Sequence, residues 1–376
     1  MINRTFLLLG SAQAFILLLF LAFLPGCSNQ MNNADQAEWR TRTALNEGWK
    51  FMKYESATSA DALRYDIRPP IEHADDTKEA DSKPTEAVQL DSAGQVLKAY
   101  ILPTANAFIK DPAGHHQRPA GQPGADFPFV QAAFDDSAWE SINLPHDWAI
   151  AGPFLEGWDA EVGGGMGRLP SHGVAWYRKK LNISEADRGK SIFLDVDGAM
   201  SYAMVWLNGQ LVGGWPYGYN SWRLDLTPYL NFEGDNQLAI RLDNPNHSAR
   251  WYPGGGLYRN VWLVKTHPIH VAHWGTRITT PQVSAEEATV SVTVRMENTT
   301  AEAGEVEIVT HVYAIDGNGQ PVAKLPAQTL KLAAGASAEV SGSVTIKNPQ
   351  LWGPPPSQRP NLYRAVTTVY QKETII

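Results

Sequence analysis

A single cysteine, Cys27, stands among 376 residues, so no disulfide can form within the chain and any stable core must come from packing. Basic residues are outnumbered, 31 against 39 acidic, for a formal net charge of −8. That balance excludes the basic footprint that nucleic-acid binding requires. Convincing helical periodicity is missing, and no apolar run long enough to span a membrane follows Leu24. Phosphate-cradling motifs are missing too. Gly163-Gly164-Gly165-Met166-Gly167 is glycine-rich, but no Lys-Ser/Thr pair follows it, so it reads as a loop. A metal array is not expected. His267, His270 and His273 are evenly spaced, but on a strand His267 and His273 share one face and His270 takes the other. No acidic or cysteine partner lies nearby in sequence, and these histidines read as domain-boundary residues. His115-His116 falls in a loop-like stretch and offers only adventitious metal binding.

What the chain does have begins at its amino terminus. Arg4 supplies a positive charge, Ala14 to Leu24 is unbroken apolar sequence, and Leu24-Pro25-Gly26-Cys27 follows with small residues. Charge, apolar core and small residues make a secretory signal over residues 1–26 rather than a folded element. The tetrapeptide resembles a bacterial lipobox, which implies lipidation of Cys27 and a mature protein that starts there. An ordinary signal peptide with a coincidental cysteine, and an uncleaved span over Phe6 to Leu24, are the alternatives. Ser28 in place of Asp at the next position implies, by the same resemblance, the outer membrane. Residues 27–38 are then a polar tether between lipid and fold.

The rest divides into two strand-rich regions, in keeping with the two domains expected at this length. Ile192, Leu194 and Val196 alternate with Phe193, Asp195 and Asp197, a period of two with neither face wholly polar, as in a packed sandwich. Met204 to Leu207 and Leu211-Val212 flank Asn208-Gly209, the residues a type I′ hairpin turn demands. Leu238, Ile240 and Leu242 form another alternating strand. Short strands with Gly, Pro and Asn turns predict an antiparallel β-sandwich over 39–266. An insertion interrupts it at about 55–124, charged and rich in Gly and Pro, with Val96 to Phe108 as the one stretch suited to docking. A second set over 267–376, led by Val290, Val292, Val294 and Met296 and then by Val306, Ile308, Thr310 and Val312, suits an immunoglobulin-like sandwich without the disulfide of antibody domains.

Several segments, in order, resemble the amino-terminal half of glycoside hydrolase family 2. They are Phe134-Asp135-Asp136-Ser137-Ala138-Trp139, Leu144-Pro145-His146-Asp147-Trp148, Gly173-Val174-Ala175-Trp176-Tyr177-Arg178-Lys179, Val205-Trp206-Leu207-Asn208-Gly209 and Arg250-Trp251-Tyr252-Pro253-Gly254-Gly255-Gly256-Leu257-Tyr258-Arg259-Asn260-Val261. Pro349-Gln350-Leu351-Trp352, with Asn361-Leu362-Tyr363 after it, fits the next domain of that family. The resemblance is to the exported β-galactosidases within it. It implies an all-β chain, a jelly-roll (galactose-binding-like) sandwich followed by an immunoglobulin-like sandwich, and a substrate that is a β-linked glycan or galactoside.

In the family a (β/α)₈ barrel follows and carries two glutamates about 5 Å apart, one the acid/base and one the nucleophile of retaining hydrolysis. No βα alternation supports such a barrel here, so no catalytic residue, metal or cofactor is expected in this chain. The chain reads as ending at or just after a late strand of the second sandwich, inactive alone, with a catalytic barrel as its partner if one is encoded downstream. Asn46-Glu47 mimics the family's Asn-Glu pair but lies at the start of the first domain. A stand-alone carbohydrate-binding lipoprotein and a structural or interaction module are the rival readings.

For substrate contacts the resemblance points to Asp243, at the end of a strand that reaches toward the barrel pocket, with Asn244 as the near alternative. A carboxylate accepts hydrogen bonds from sugar hydroxyls; beside Asn244-Pro245 the same Asp would cap a turn. Trp251 could wall a sugar site. The Gly254-Gly255-Gly256 run predicts tight backbone approach with positive φ, His146-Asp147 a loop network that positions Trp148. Trp215, Tyr217, Tyr219 and Trp222 read as mostly core, with an exposed subset suited to a glycan surface.

Overall fold

The computed structural model describes residues 40–56, 59–61, 63, 111, 113, 122, 124–156, 169–244 and 254–376. The signal segment, Cys27, Val96 to Phe108, the 163–167 glycines and Trp251 all lie outside the described residues.

Ten strands build the first sandwich: β1 (Thr41–Ala44), β2 (Trp49–Lys53), β3 (Glu140–Ile142), β4 (Gly173–Leu181), β5 (Ser191–Val196), β6 (Ala203–Leu207), β7 (Gln210–Trp215), β8 (Trp222–Asp225), β9 (Asn236–Asn244) and β10 (Val261–Thr266). One sheet runs β1-β10-β5-β8 and the other β3-β2-β4-β9-β6-β7. Every pairing within them is antiparallel. The alternation of the sequence decides which side chains meet between the sheets. Ile192, Leu194 and Val196 of β5, Leu238, Ile240 and Leu242 of β9, and Val261 and Leu263 of β10 share one buried cluster with Trp49 and Tyr177. The Asn208-Gly209 turn forms as its sequence demands, with φ of 53° and 79°, joining β6 to β7.

The opposite face of the six-stranded sheet is also buried. Trp176, Met204, Trp206 and Ala239 pack there with Val130, beneath Leu63, Phe127 and Phe129. Two buried guanidinium groups fix this cover. Arg178 Nε donates to Asp136 Oδ2 at 2.8 Å, and its other nitrogens donate to the carbonyls of Phe129, Gln131 and Phe134. Arg241 is held by Asp61 and by the carbonyl of Leu63. Asp61 and Leu63 therefore dock the first residues of the insertion, a role the sequence pattern had assigned to Val96 to Phe108 alone. A lone Asp in a polar stretch carries no periodic signal; its docking comes from a charge partner far along the chain.

The second sandwich has eight strands: β11 (Ile269–Val283), β12 (Glu287–Asn298), β13 (Gly304–Ala314), β14 (Pro321–Lys324), β15 (Gln328–Leu332), β16 (Ser337–Lys347), β17 (Tyr363–Gln371) and β18 (Thr374–Ile375). One sheet runs β11-β12-β16, the other β14-β13-β17-β18 with β15 also on β13. Val290, Val292, Val294 and Met296 face Val306, Ile308 and Val312 in its core. Among the described residues there is no α-helix and no barrel.

Only His267 and Pro268 separate the sandwiches, and they touch. Ser191 Oγ and Thr299 Oγ1 are 2.8 Å apart, and the His270 ring lies 5.5 Å from that of Phe193. Here the structure corrects the sequence reading. The register of β11 on β12 shifts between Val271 and Thr276, and Trp274 adopts a φ of 51°. This irregularity breaks the period of two between His270 and His273, so simple alternation does not set their faces, and both feel the positive charge of Arg40 and Arg223. Acidic neighbours exist as well, supplied from distant strands: Glu297 Oε2 lies 3.8 Å from His270 Nε2, and Asp195 acts on His273.

Candidate functional site

Asp243 and Asn244 end β9, opposite Val174 and Gly173 at the start of β4. The loops after β5 and before β8 and β10 gather at this end of the sandwich. Asp243 N–H donates to the carbonyl of Ser201 at 3.0 Å, and Ser201 Oγ donates back to the Asp243 carbonyl at 3.1 Å. Asn244 is satisfied within the fold. Its Nδ2 donates to the carbonyls of Ser171 and Gly254, both at 2.7 Å, and its Oδ1 lies 3.1 Å from Ser201 Oγ. Both amide hydrogens are thereby spent, so Asn244 ties three loops together. The Asp243 side chain is 2% exposed, with Oδ2 3.8 Å from Arg241 Nη1. Arg241 and Asp243 are two residues apart on one strand and so share a face.

The glycine run behaves as its sequence suggests. Gly256 N–H and C=O exchange hydrogen bonds with Met200, at 3.1 and 2.9 Å. Gly254 and Gly256 have φ of 65° and 123°. A Cβ on Gly255 would press on the Trp148 indole and the Ser171 carbonyl, and one on Gly256 would meet the His146 carbonyl. Trp148 is locked in turn: its backbone N–H donates to Gly255 O at 2.8 Å and its Nε1 to Ser171 O at 3.0 Å. Asp147 Oδ1 accepts from Gly255 N at 3.1 Å and Ala149 N at 3.0 Å. This is the positioning network expected of His146-Asp147.

His146 and Tyr177 are paired beneath it, with Nδ1 2.8 Å from Oη. Tyr177 Oη accepts from Leu257 N at 3.4 Å. Burial pushes the Tyr177 phenol well above its usual pKa, and burial lowers His146. The single hydroxyl proton therefore points to a neutral imidazole, and Nδ1 is the acceptor. The pair can brace a loop, and nothing in its geometry activates a nucleophile. Asn46 is structural as well, its Nδ2 donating to Asn260 Oδ1 at 2.9 Å and its Oδ1 accepting from Val261 N at 3.2 Å.

Among the described residues no group of three or more His, Cys, Asp or Glu side chains is arranged to hold a metal ion. What the site offers is a buried carboxylate, a braced Ser-Asn scaffold and aromatic side chains around it. Sequence reasoning missed the support from Arg241 and Asp61, since their partnership spans 180 positions. It also missed Ser171, which acts through its carbonyl, and Ser201, which acts through its carbonyl and its hydroxyl.

Comparison with known proteins places this geometry. Residues 170–253 match the glycosyl hydrolase 2 galactose-binding domain-like family, and residues 269–376 match glycosyl hydrolases family 2. Together the two matches cover just over half of the chain. A β-galactosidase of Bacteroides ovatus, BoGH2A, is 39% identical over 245 residues, covering 65% of this chain and 28% of that protein. A β-glucuronidase of Formosa agariphila is 27% identical over 265 residues, covering 65% and 26%. A solved family 2 member from Bacteroides cellulosilyticus superposes with a TM-score of 0.64 at 26% identity, over 89% of this chain and 34% of its own. The chain thus spans about a quarter to a third of the length of these relatives. Its two sandwiches correspond to their non-catalytic amino-terminal domains, and the chain belongs to glycosyl hydrolase family 2.

Proposed function

We propose that the two sandwiches are the sugar-holding and spacing part of an exported family 2 glycosidase that acts on β-galactosides. The observation that carries this reading is the braced end of the first sandwich. There Asp243, backed by Arg241, sits among loops that Asn244 and the 254–256 glycines hold in place. The 39% identity to a β-galactosidase supports the sugar class. In this reading Asp243 accepts hydrogen bonds from hydroxyls of the terminal sugar, Asn244 holds the strand end, and Trp251 walls the pocket. Because Asp243 is buried, contact requires that what covers it move aside. Hydrolysis belongs to a partner barrel that brings both glutamates. Domain limits of 39–266 and 267–376, with the insertion at about 55–124, go with this reading.

A lipid on Cys27 would hold this assembly at the outer membrane. The supporting feature is the apolar run ending in a small-residue cleavage site before that cysteine. A Cys27→Ser variant expressed in a bacterium fed labelled palmitate should lose a label that the parent carries; an unlabelled parent would refute the anchor. For the sugar role, calorimetry of the mature chain with methyl β-galactoside should give saturable binding that Asp243→Ala removes, with no release of an aryl leaving group by the chain alone. Turnover of an aryl galactoside by the chain would overturn the assignment of chemistry to a separate domain.

A further inference from the structure

The first sandwich leaves few large apolar side chains in water, and their placement is not random. Among its described residues they are Ile150, Phe154, Tyr217 and Tyr219, exposed by 72, 68, 55 and 37%. All four lie on loops at the end that carries Asp243. Tyr202 N–H, one residue after Ser201, donates to the Pro216 carbonyl at 2.9 Å, and Ser201 is hydrogen-bonded to Asp243 itself.

The loop that carries the two tyrosines is held from both sides. Tyr258 Oη donates to the Gly218 carbonyl at 2.9 Å, between the two rings. Gly218 lies so close to Met200 that a Cβ would overlap its sulfur, and Met200 is pinned to Gly256 by paired backbone hydrogen bonds. Just beyond, Ser221 Oγ donates to Asp197 O at 3.0 Å. The Tyr217 and Tyr219 rings sit with centroids 5.4 Å apart at 60°. Burial raises the Tyr219 and Tyr258 phenols above their usual pKa, so both remain protonated donors at neutral pH.

Two exposed tyrosines on a held loop, with their rings packed on each other, have less side-chain freedom left to lose on binding. Their faces match a flat apolar surface rimmed by hydroxyls. A pyranose ring has that shape, with axial C–H groups on one face and hydroxyls around its edge. Deepening the sugar-holding reading, on which it rests for the position of the terminal sugar, we propose that Tyr217 and Tyr219 form a second sugar subsite. It would stack the next pyranose of a β-linked oligosaccharide, outside the sugar at Asp243.

Calorimetry of the full chain with methyl β-galactoside and with β-1,4-galactotriose tests this. The trisaccharide should bind about tenfold more tightly, the worth of one aromatic stacking contact. Tyr217→Ala with Tyr219→Ala should erase that gain and leave binding of the monosaccharide unchanged, while the double Phe variant should restore it. Melting curves of each variant report that the fold survives. An Asp243→Ala chain that keeps tyrosine-dependent binding of the trisaccharide would sink the role of Asp243 and leave the platform standing. The platform itself is overturned if the double Ala variant binds the trisaccharide as the parent does, or if the parent does not bind it. It is equally overturned if Ile150→Ser with Phe154→Ser, and not the tyrosine variant, removes the trisaccharide's gain, which would place the second contact on that pair.

Discussion

Asp61 and Arg241 meet in a buried ion pair across 180 residues of sequence, with Arg241 Nε donating to Asp61 Oδ1 at 2.9 Å. Both side chains are almost fully enclosed, 2% and 0% exposed, and Trp176 Nε1 donates to the other carboxylate oxygen at 3.0 Å. Asp61 also raises the neighbouring Tyr54, which burial chiefly pushes up to about 12, keeping its phenol neutral. Removing the carboxylate leaves a guanidinium inside the protein with Asp243 as its remaining acidic neighbour. Asp61→Ala should therefore cost about 3–5 kcal/mol in urea unfolding, the usual penalty for breaking one side of a buried pair. An exposed surface pair such as Lys180–Asp235 should show less than about 1 kcal/mol when Asp235 is replaced by Ala. Equal effects from the two substitutions would refute the ranking.

The contrast shows what the sequence could and could not convey. Strands β5, β6 and β9 were legible because burial imposes a period of two on Ile192, Leu194 and Val196 and their counterparts. The type I′ turn at Asn208-Gly209 was legible because few residues accept two positive φ values in succession. Asp61 was not. Its function depends on a partner that only the folded sheet brings near, and its neighbours offer no pattern. The strict alternation assumed for His270 and His273 failed for a related reason: between Val271 and Thr276 β11 carries three more residues than its partner, and Gly275 alone marks the irregularity in the sequence.

The joint between the sandwiches should weaken in acid. His270 and His273 are both lowered to about 4, first by burial and then by the positive field of Arg223, with Arg40 adding to it. Arg42 acts on His273, while Asp195 and, at 3.8 Å from His270, Glu297 oppose the arginines. Each folded-state value lies below the unfolded value near 6.5, so the unfolded chain takes up protons first. The stabilisation is complete above pH 6.5 and is lost as pH falls from there through about 4. Melting temperature of the parent should decline over that window more steeply than that of His270→Gln with His273→Gln, which has neither group to protonate. Parallel profiles would show that the carboxylates alone govern the acid limit.

The candidate site was half visible. Asp243, Asn244 and the glycines were singled out by family-like motifs, and the glycines' close approaches could be read directly from their type. The division of labour between Asp243 and Asn244 could not. It depends on which atoms are already occupied, and the acceptors of Asn244 are backbone carbonyls from loops at Ser171 and Gly254.

That division gives opposite expectations for two adjacent substitutions. Asn244→Ala strips the Gly254 carbonyl of its amide partner and leaves Ser171 O with Trp148 Nε1 alone. Each buried polar group left unpaired costs about 1–3 kcal/mol, so the variant should unfold at distinctly lower urea. Asp243→Asn keeps shape and volume, keeps the backbone bond to Ser201, and removes the charge. A hydrogen bond to a charged group is worth about 1.5–3 kcal/mol, so affinity for methyl β-galactoside should fall by about ten- to a hundredfold, with a smaller loss of stability than in Asn244→Ala. Calorimetry and urea titration of the same two proteins separate the roles. If Asn244→Ala loses affinity at full stability while Asp243→Asn binds normally, the assignments must be exchanged, and the carboxylate of Asp243 serves Arg241 and not the sugar.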